Sequence, residues 1–296
     1  MYFRLPDLGC TNMAEDSLFS EATGMIGAPA VRPISLAHLT VLGVSPPQLI
    51  VLAAEAGYQS VDIRLAAASP EDIEYPMFGD TPMRREVINL VAGTGVTVFD
   101  VEIIRMGRQT NASDYEYLFE AAARIGARRI KVVGDDTDES LMAEKFSCIC
   151  ELAFSYHLAV DLEFMVFSGI KTFQSAGRIV SLASQPNGSI LIDALHLARS
   201  GQTPDKIGKI IDWCPGYFQL CDAPLNSSFN KLDLIREART ARLPPGDGAL
   251  PLVELVRAFR LDCPVSMEVP RKTTLSNLEN VRQVLQGAKK VLGMAG

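Results

Sequence analysis

One alternation runs through most of this chain and limits the folds open to it. From Ile34 onward, short apolar runs rich in β-forming residues are followed by segments with helical apolar spacing. The predicted strands cover residues 34–38, 60–64, 97–103, 129–133, 158–163, 189–193, 216–221 and 264–268. Eight strand–helix units in succession favour a closed parallel barrel over an open doubly wound sheet. The sequence therefore predicts a single (β/α)8 TIM barrel of the α/β class.

Domain organisation follows from where this alternation begins and ends. Length alone is no guide, because 296 residues would suit one barrel or two smaller domains. No linker or second core interrupts residues 33–296, which we predict to form one barrel domain. Residues 1–32 mix glycine, proline and acidic residues without periodicity, and we predict an N-terminal extension. The irregular segment 222–248 predicts an elaborated loop on the face where barrel enzymes place their active sites.

Charge and hydropathy narrow the classes of partner. The formal net charge is -7, whereas binding a nucleic-acid backbone needs clustered positive charge. No apolar run approaches the ~20 residues that span a bilayer. The first residues lack a signal-peptide pattern, and the six cysteines lack paired C-x-x-C spacing. We therefore expect a cytoplasmic protein with reduced thiols, without nucleic acid or membrane as partner, and we leave a homo-oligomer open.

Polar residues end or nearly end four successive predicted strands. They are Glu163 on the fifth strand, Asp193 on the sixth, Gln219 on the seventh and Glu268 on the eighth. The carboxyl ends of parallel barrel strands open on one face, so these side chains should converge. Clustered carboxylates repel one another in a low-dielectric site unless a cation joins them. An all-oxygen donor set suits Mn²⁺ or Mg²⁺ better than zinc, with Co²⁺ as a further alternative.

Five segments resemble the xylose isomerase-like barrel superfamily of sugar isomerases, epimerases and related dehydratases. They are DLEFM (161–165), IDALHLARSG (192–201), YFQLCDAP (217–224), PPGDGALPL (244–252) and SMEVP (266–270). The resemblance runs from about Ile34 to the C-terminus. It implies one divalent metal with the ligands Glu163, Asp193, Gln219 and Glu268. It also implies that His196 meets the substrate or metal-bound water.

Gln219 departs from the pattern of this superfamily, since many members have histidine there. Glutamine cannot act as a base, but its carbonyl oxygen can still bind a hard cation. Some dehydratase members tolerate glutamine at this position. Glutamine in place of histidine at position 219 therefore favours the dehydratase branch, but it does not exclude the isomerases and epimerases.

Further ionisable residues at the predicted barrel mouth are candidates for substrate binding. His38 could carry protons or could be hydrogen-bonded in the core, and the sequence favours neither. Arg64, Arg105, Lys131 and Arg271 lie on or just after strands. They could balance the carboxylates, or they could capture a carboxylate or phosphate of the substrate. We predict anion capture for Arg64 and Arg271.

The predicted set of oxygen donors suits chemistry next to a carbonyl group. Glu163 and Glu268 should face each other, so one can remove a proton and the other return it, with His196 as a further acid–base group. We predict a metal-dependent sugar (phosphate) isomerase or epimerase with a small polyhydroxylated keto substrate, either neutral or anionic. The alternative is a dehydratase of the 3-dehydroshikimate or inosose type. A phosphodiesterase like the AP endonucleases is disfavoured by three histidines and the negative charge; a non-catalytic binding barrel is the remaining alternative.

Overall fold

The computed structural model describes residues 32–68, 72–209, 215–225 and 230–296. The predicted extension over residues 1–32 lies outside the described residues, apart from Arg32. The guanidinium of Arg32 donates to the carbonyl oxygen of Cys263 at 2.8 Å and lies over the Phe218 ring, 5.0 Å from its centroid. Arg32 therefore packs against the barrel domain.

Parallel strands form a closed barrel in chain order, and β1 pairs with β8 to close it. The strands are β1 (Ile34–Ala37), β2 (Ser60–Arg64), β3 (Thr97–Met106), β4 (Arg129–Gly134), β5 (Ala159–Glu163), β6 (Gly188–Asp193), β7 (Pro215–Leu220) and β8 (Val265–Met267). The prediction of a (β/α)8 barrel is confirmed. Glu268 follows β8 directly, so it still lies at the carboxyl end of that strand.

Helices follow the strands and cover the outside of the barrel. They are α1 (Pro46–Ala56), α2 (Pro82–Thr94), α3 (Glu116–Arg124), α4 (Glu139–Ser155), α5 (Phe173–Ala183), α6 (Ala194–Arg199), α7 (Lys231–Thr240), α8 (Leu252–Arg257) and α9 (Asn277–Ala295). Local signals mark their ends: Ser45 and Ser276 begin α1 and α9 with capping boxes, and Gly57 ends α1 in the left-handed conformation. None of the described helices is long and apolar enough to cross a membrane.

Helix α7 lies inside the segment 222–248, for which the sequence predicts an irregular loop. The prediction missed this helix because α7 is mostly polar, and Ala238 is its only buried residue. An apolar stripe is the signal by which a helix is recognised in a sequence, and α7 has only a short one, formed by Leu234, Ile235 and Ala238. The segment nevertheless reaches the carboxyl face of the barrel, as its position after the seventh strand predicts.

Two polar layers fill the barrel interior, because six strands or strand ends carry polar residues two positions apart. Residues with this spacing point to the same side of a strand. The pairs, lower layer first, are Asp62 and Arg64, Asp100 and Glu102, Arg129 and Lys131, Asp161 and Glu163, Tyr217 and Gln219, and Ser266 and Glu268. The lower layer is largely paired within itself. Arg129 makes a two-pronged ion pair with Asp161 at 2.6 and 2.7 Å, and Tyr217 donates to Asp100.

Gly216 on β7 leaves the space that the Arg129–Asp161 pair occupies. A Cβ atom at this position would overlap the Asp161 carboxylate and the Arg129 guanidinium. Asp161 is fully buried and Arg129 is mostly buried, so neither can move away without losing its charged partner. The absence of a side chain at Gly216 is therefore a packing requirement of the lower layer.

We expect Gly216→Ala to lower the free energy of unfolding by about 1–3 kcal/mol, as overpacking of a filled interior does. Denaturant unfolding followed by circular dichroism measures the change. Gly293→Ala is the matched control, since this glycine is in α9 and nothing lies within 4 Å of an added Cβ. Alanine there should stabilise the helix slightly. Equal stability of the two variants would contradict the packing role of Gly216.

Candidate active site

The carboxyl ends of β5, β6 and β8 bring three carboxylates together. One oxygen each from Glu163, Asp193 and Glu268 lies within 4.8 Å of the other two. All three side chains are buried. Carboxylates this close repel one another strongly in a dry interior unless cations or protons stand among them. The barrel mouth is therefore built around a concentration of negative charge.

Gln219 adds an amide oxygen to this group. Its Nε2 donates to Glu268 Oε1 at 3.1 Å, and its Oε1 is buried without a hydrogen-bond partner. A buried oxygen without a partner is unfavourable, and a bound cation would satisfy it. Three carboxylates and an amide oxygen fit a divalent ion that prefers oxygen ligands. The structure thus brings the four predicted ligands together, and metal binding by them stays a prediction.

Two buried cations lie among these carboxylates. Lys131 Nζ is 2.9 Å from Glu268 Oε1, 3.2 Å from Glu102 Oε1 and 3.7 Å from Glu163 Oε2. Arg242 reaches Asp193 Oδ2 with Nη1 at 2.6 Å and Glu268 Oε2 with Nη2 at 2.9 Å. Glu268 is therefore held on both oxygens, whereas Glu163 has only the more distant contact with Lys131.

The sequence did not point to two cations of the barrel mouth, Arg239 and Arg242, and Arg242 contacts two of the clustered carboxylates. It lies after α7, between two strands, and it is only 2% exposed. Its Nε donates to the Ala238 carbonyl oxygen, which fixes the direction of the side chain. One sequence feature could have indicated Arg242 as a site residue. Arg242 directly precedes LPPGDG, in the segment predicted to lie on the face of the barrel that carries the active site.

The two glutamates differ in proton affinity because their surroundings differ. Burial raises the pKa of Glu163 to about 8, and the attraction of Lys131 offsets this only in part. Burial alone would also raise the pKa of Glu268, but Lys131 and Arg242 outweigh it and lower that pKa well below its usual range. Glu268 is thus a fixed anion, and Glu163 is a group that can take up and release a proton near neutral pH.

His196 lies beside Glu163 and is positioned by Asp193. The Asp193 side chain begins α6 by accepting a hydrogen bond from the His196 backbone N–H at 2.9 Å. The imidazole Nε2 is then 3.9 Å from Glu163 Oε1, and Nδ1 is buried without a partner. Burial lowers the pKa of His196 to about 4, so the ring is neutral at pH 7 and carries one ring proton.

His38 is fully buried, and both of its ring nitrogens are occupied. Nε2 contacts the Val44 carbonyl oxygen at 2.8 Å, and Nδ1 accepts from the Arg64 backbone N–H at 3.2 Å. Burial lowers its pKa to about 4. His38 does not line the mouth cavity described next. Of the two alternatives for His38, the structure favours a hydrogen-bonded core residue over a group that carries protons or binds substrate.

A cavity of about 60 Å³, which we call the mouth cavity, opens onto the carboxylates. Glu163, Glu268 and His196 reach it, and Ile103, Met165 and Phe167 give it apolar wall. Five cationic side chains also line it: Arg64, Arg105, Lys131, Arg239 and Arg242. The predicted substrate-binding residues Arg64 and Lys131 therefore reach the same cavity as the catalytic candidates.

Arg271 does not reach the mouth cavity. Its guanidinium donates to the side-chain oxygens of Asn280 at 2.8 Å and Gln283 at 2.7 Å, both on α9. The physical reason is the chain path after β8, where Arg271 forms an isolated antiparallel bridge with Ala241. The structure thus separates Arg271 from Arg64, although the sequence predicts that both bind an anionic group of the substrate at the barrel mouth.

A family model described as xylose isomerase-like TIM barrel matches residues 50–291. The chain belongs to this family. The resemblance that the strand-end motifs predict is confirmed.

Among curated proteins, the chain is similar to a 3-dehydroshikimate dehydratase of Pseudomonas putida. The two are 24% identical over 253 residues, which cover 79% of this chain and 37% of that protein. The chain thus spans little more than a third of the relative's length.

Two solved structures show the same fold. The IolI protein, solved with a bound zinc atom, has a TM-score of 0.76 at 17% identity, and the match covers 89% of this chain and 99% of that one. A D-allulose 3-epimerase from Methylomonas sp., in complex with D-allulose, has a TM-score of 0.66 at 12% identity, and the match covers 88% of this chain and 98% of that one. At these identities the likeness concerns the fold alone.

Because burial raises the pKa of Glu163 to about 8, a metal that binds this carboxylate must displace a proton below that pH. We expect the affinity for Mn²⁺ to rise by about tenfold per pH unit between pH 6 and pH 8, with release of one proton. Calorimetric titration in buffers of different ionisation enthalpy measures both the affinity and the number of protons released.

The variant Glu163→Gln should remove the pH dependence of Mn²⁺ affinity. The surface variant Glu139→Gln should keep it, since Glu139 pairs with Arg178 away from the site. Affinity that does not vary with pH would contradict the assignment.

Proposed function

We propose that this chain is a divalent-metal-dependent enzyme that removes a proton next to a carbonyl group of a small polyhydroxylated keto substrate. The reaction class we favour is dehydration of an anionic substrate of the 3-dehydroshikimate type. One observation carries the proposal above the others. Two buried glutamates of unequal proton affinity share a cation-lined cavity with a cluster of oxygen donors.

The metal would be held by Glu163, Asp193, Gln219 and Glu268, whose spacing and unpartnered amide oxygen support the assignment. When bound, it would polarise the substrate carbonyl and stabilise the negative charge that develops on the carbonyl oxygen. Mn²⁺ and Mg²⁺ are the ions that this donor set favours, and Co²⁺ is a further candidate.

Glu163 is the general base in this proposal. Burial raises the proton affinity of Glu163, and this offsets part of the lowering that a bound metal would cause in its pKa. Glu268 is a poorer base because Lys131 and Arg242 hold it as a carboxylate. Its role is then to keep a fixed negative charge in the site and to hold those two cations in place.

His196 is the proton donor to the leaving group. Its neutral ring carries one proton, and Nε2 lies 3.9 Å from Glu163 Oε1. After Glu163 takes the proton next to the carbonyl, the imidazole Nδ1–H protonates the β-hydroxyl, which leaves as water, while Nε2 takes up the proton of the Glu163 carboxyl group. The ring is then neutral again and Glu163 is again a carboxylate.

The charges around the mouth cavity favour an anionic substrate. Its five cations pair, among the described residues, with six carboxylates: Asp72, Glu102, Asp135, Glu163, Asp193 and Glu268. With Glu163 ionised as a metal ligand, these charges and a divalent ion would sum to a surplus of one positive charge. A substrate with one carboxylate would then neutralise the site. The similarity to a 3-dehydroshikimate dehydratase supports the same substrate class.

Epimerisation or aldose–ketose isomerisation is the second candidate, and one observation favours it. Glu163 and Glu268 reach the same cavity from β5 and from the end of β8, which stand on different sides of the barrel. Two carboxylates in this arrangement can remove a proton from one face of a carbon and return one to the other. The epimerase of the same fold binds a neutral ketose, D-allulose.

Proton abstraction is tested in heavy water with Mn²⁺-loaded protein and 3-dehydroshikimate, and in parallel with inososes and ketoses. We expect turnover of one of them with exchange of a carbon-bound proton, detected by NMR. Glu163→Gln should slow exchange by about 10²–10⁴-fold, because the amide retains an oxygen ligand but cannot accept a proton. Metal content and circular dichroism check that the site and the fold persist, and Glu139→Gln is the control. Wild-type exchange in Glu163→Gln would remove the base assignment. Turnover without proton movement would overturn the proposed function.

Arg105 offers a clean test of the anionic substrate. It lines the mouth cavity, donates to Asp135 Oδ2 at 2.8 Å and is about one-third exposed, so its removal leaves no buried charge unpaired. Arg64 is less suitable, because it is the ion-pair partner of the fully buried Glu102. We expect Arg105→Gln to raise KM by about tenfold, or about 1.4 kcal/mol, with little change in kcat.

Arg108→Gln is the matched control for this test. Arg108 pairs with Asp136 in the same region, is 60% exposed and does not line the cavity. Its KM should equal that of the wild type. A KM unchanged in both variants would leave Arg105 only the role of balancing Asp135.

A further inference from the structure

A second cavity lies beside the mouth cavity, and Arg271 belongs to it. This side cavity has a volume of about 430 Å³ and is bounded by residues 39–44, which follow β1, and by residues 270–273, which follow β8. Leu39 and Arg239 line both cavities, so the two are neighbours on the carboxyl face of the barrel. We propose that the side cavity is an oxyanion-binding subsite for a phosphate or carboxylate group.

The lining of the side cavity is positively charged. Arg239, Arg271 and Lys272 contribute cations, and no carboxylate lines the cavity among the described residues. Asp72 balances the charge of Arg239, so Arg271 and the neighbouring Lys272 are the cations whose repulsion an anion in the cavity would relieve. The mouth cavity differs in this respect, because carboxylates lie among its cations.

Arg271 and Lys272 make no ion pair with any carboxylate in the described part of the chain. Asp247 acts on Arg271 electrostatically, but it is exposed and lies outside the cavity lining. The acceptors of Arg271 are the neutral amide oxygens of Asn280 and Gln283, which engage Nε and Nη2. These contacts hold the guanidinium in place without neutralising it. A guanidinium with remaining N–H groups in a fixed fork is suited to binding carboxylate or phosphate.

The walls of the side cavity are tied together by hydrogen bonds. Thr40 Oγ1 donates to the Met267 carbonyl oxygen and accepts from the Val269 N–H, both at 2.9 Å. On the other side, the Lys272 N–H donates to the Thr240 carbonyl oxygen at 3.3 Å. The loops after β1 and β8 and the end of α7 are thus connected. A subsite formed in advance binds its ligand with less loss of conformational freedom.

The position of the side cavity suggests where the anion comes from. Barrel enzymes commonly bind phosphate at the loops after their last strands. Arg239 pairs with Asp72, which also contacts Arg64 in the mouth cavity at 3.2 Å. A substrate whose reacting carbon lies near Glu163 could therefore extend past Arg239 toward Arg271. This reading of the anion as the distal group of the substrate rests on the proposed function, whereas binding of an oxyanion does not.

The test is calorimetric titration of the full chain with inorganic phosphate. We expect saturable binding by the wild type and a dissociation constant at least about tenfold higher in Arg271→Gln/Lys272→Gln. The control Lys289→Gln/Lys290→Gln removes the same charge from exposed positions of α9 and should bind like the wild type. Thermal unfolding verifies that each variant is folded. Absence of saturable binding by the wild type, or an equal loss in both double variants, would overturn the subsite.

A second arm identifies the source of the oxyanion. Competition with phosphate by D-ribulose 5-phosphate but not by D-ribulose would assign the subsite to a group carried on the substrate. Phosphate binding that is unaffected by either sugar would assign the subsite to an anion that binds separately from the substrate. Both results are consistent with an oxyanion subsite in the side cavity. The phosphate titration requires no turnover, so its result does not depend on whether the enzyme abstracts a proton. Failure of the subsite proposal can therefore be distinguished from failure of the proposed function.

Discussion

The carboxylate of Glu268 and its two cations are the interaction on which the barrel mouth depends. Lys131 holds one oxygen and Arg242 the other, and both cations also contact a second carboxylate. Removing charged groups from water is expensive, so each is tolerated only because its partners are in place. Residues from β4, from the end of β8 and from the loop after α7 are thereby linked. The electrostatic balance of the mouth, and with it the state of Glu163, follows from this arrangement.

The contrast between the two interior layers locates the function. The lower layer contains Arg129 paired with Asp161, and Asp62 accepts hydrogen bonds from Ser35 and Ser266. The upper layer brings three carboxylates within 4.8 Å of one another and leaves Gln219 Oε1 and His196 Nδ1 without partners, whereas Asp100 Oδ1 is the unpartnered atom of the lower layer among the described residues. A protein tolerates such an arrangement where a ligand completes it. The lower layer is thus a structural support, and the upper layer is the part that a metal and a substrate would complete.

Membership of the family does not by itself select a reaction, because one barrel supports several chemistries. The discrimination comes from details of this chain. The difference in proton affinity between Glu163 and Glu268 is the basis for proposing Glu163 as the base, and it arises from the position of Arg242 and Lys131. The cations around the mouth cavity and the side cavity support the proposal of a substrate that carries negative charge.

The sequence alone determined the barrel and the residues at the ends of its strands. Side chains two positions apart on a strand point to the same side, and the carboxyl ends of parallel barrel strands lie on one face. Glu163, Asp193, Gln219 and Glu268 could therefore be grouped without coordinates. Only the tertiary structure decided the roles of residues outside regular strands. Arg242 approaches from a loop, and Arg271 is turned toward α9. The direction of a long side chain on a loop depends on the path of the loop backbone and on the groups that the side chain contacts. Neither the loop path nor these contacts has a periodic pattern in the sequence from which it could be predicted.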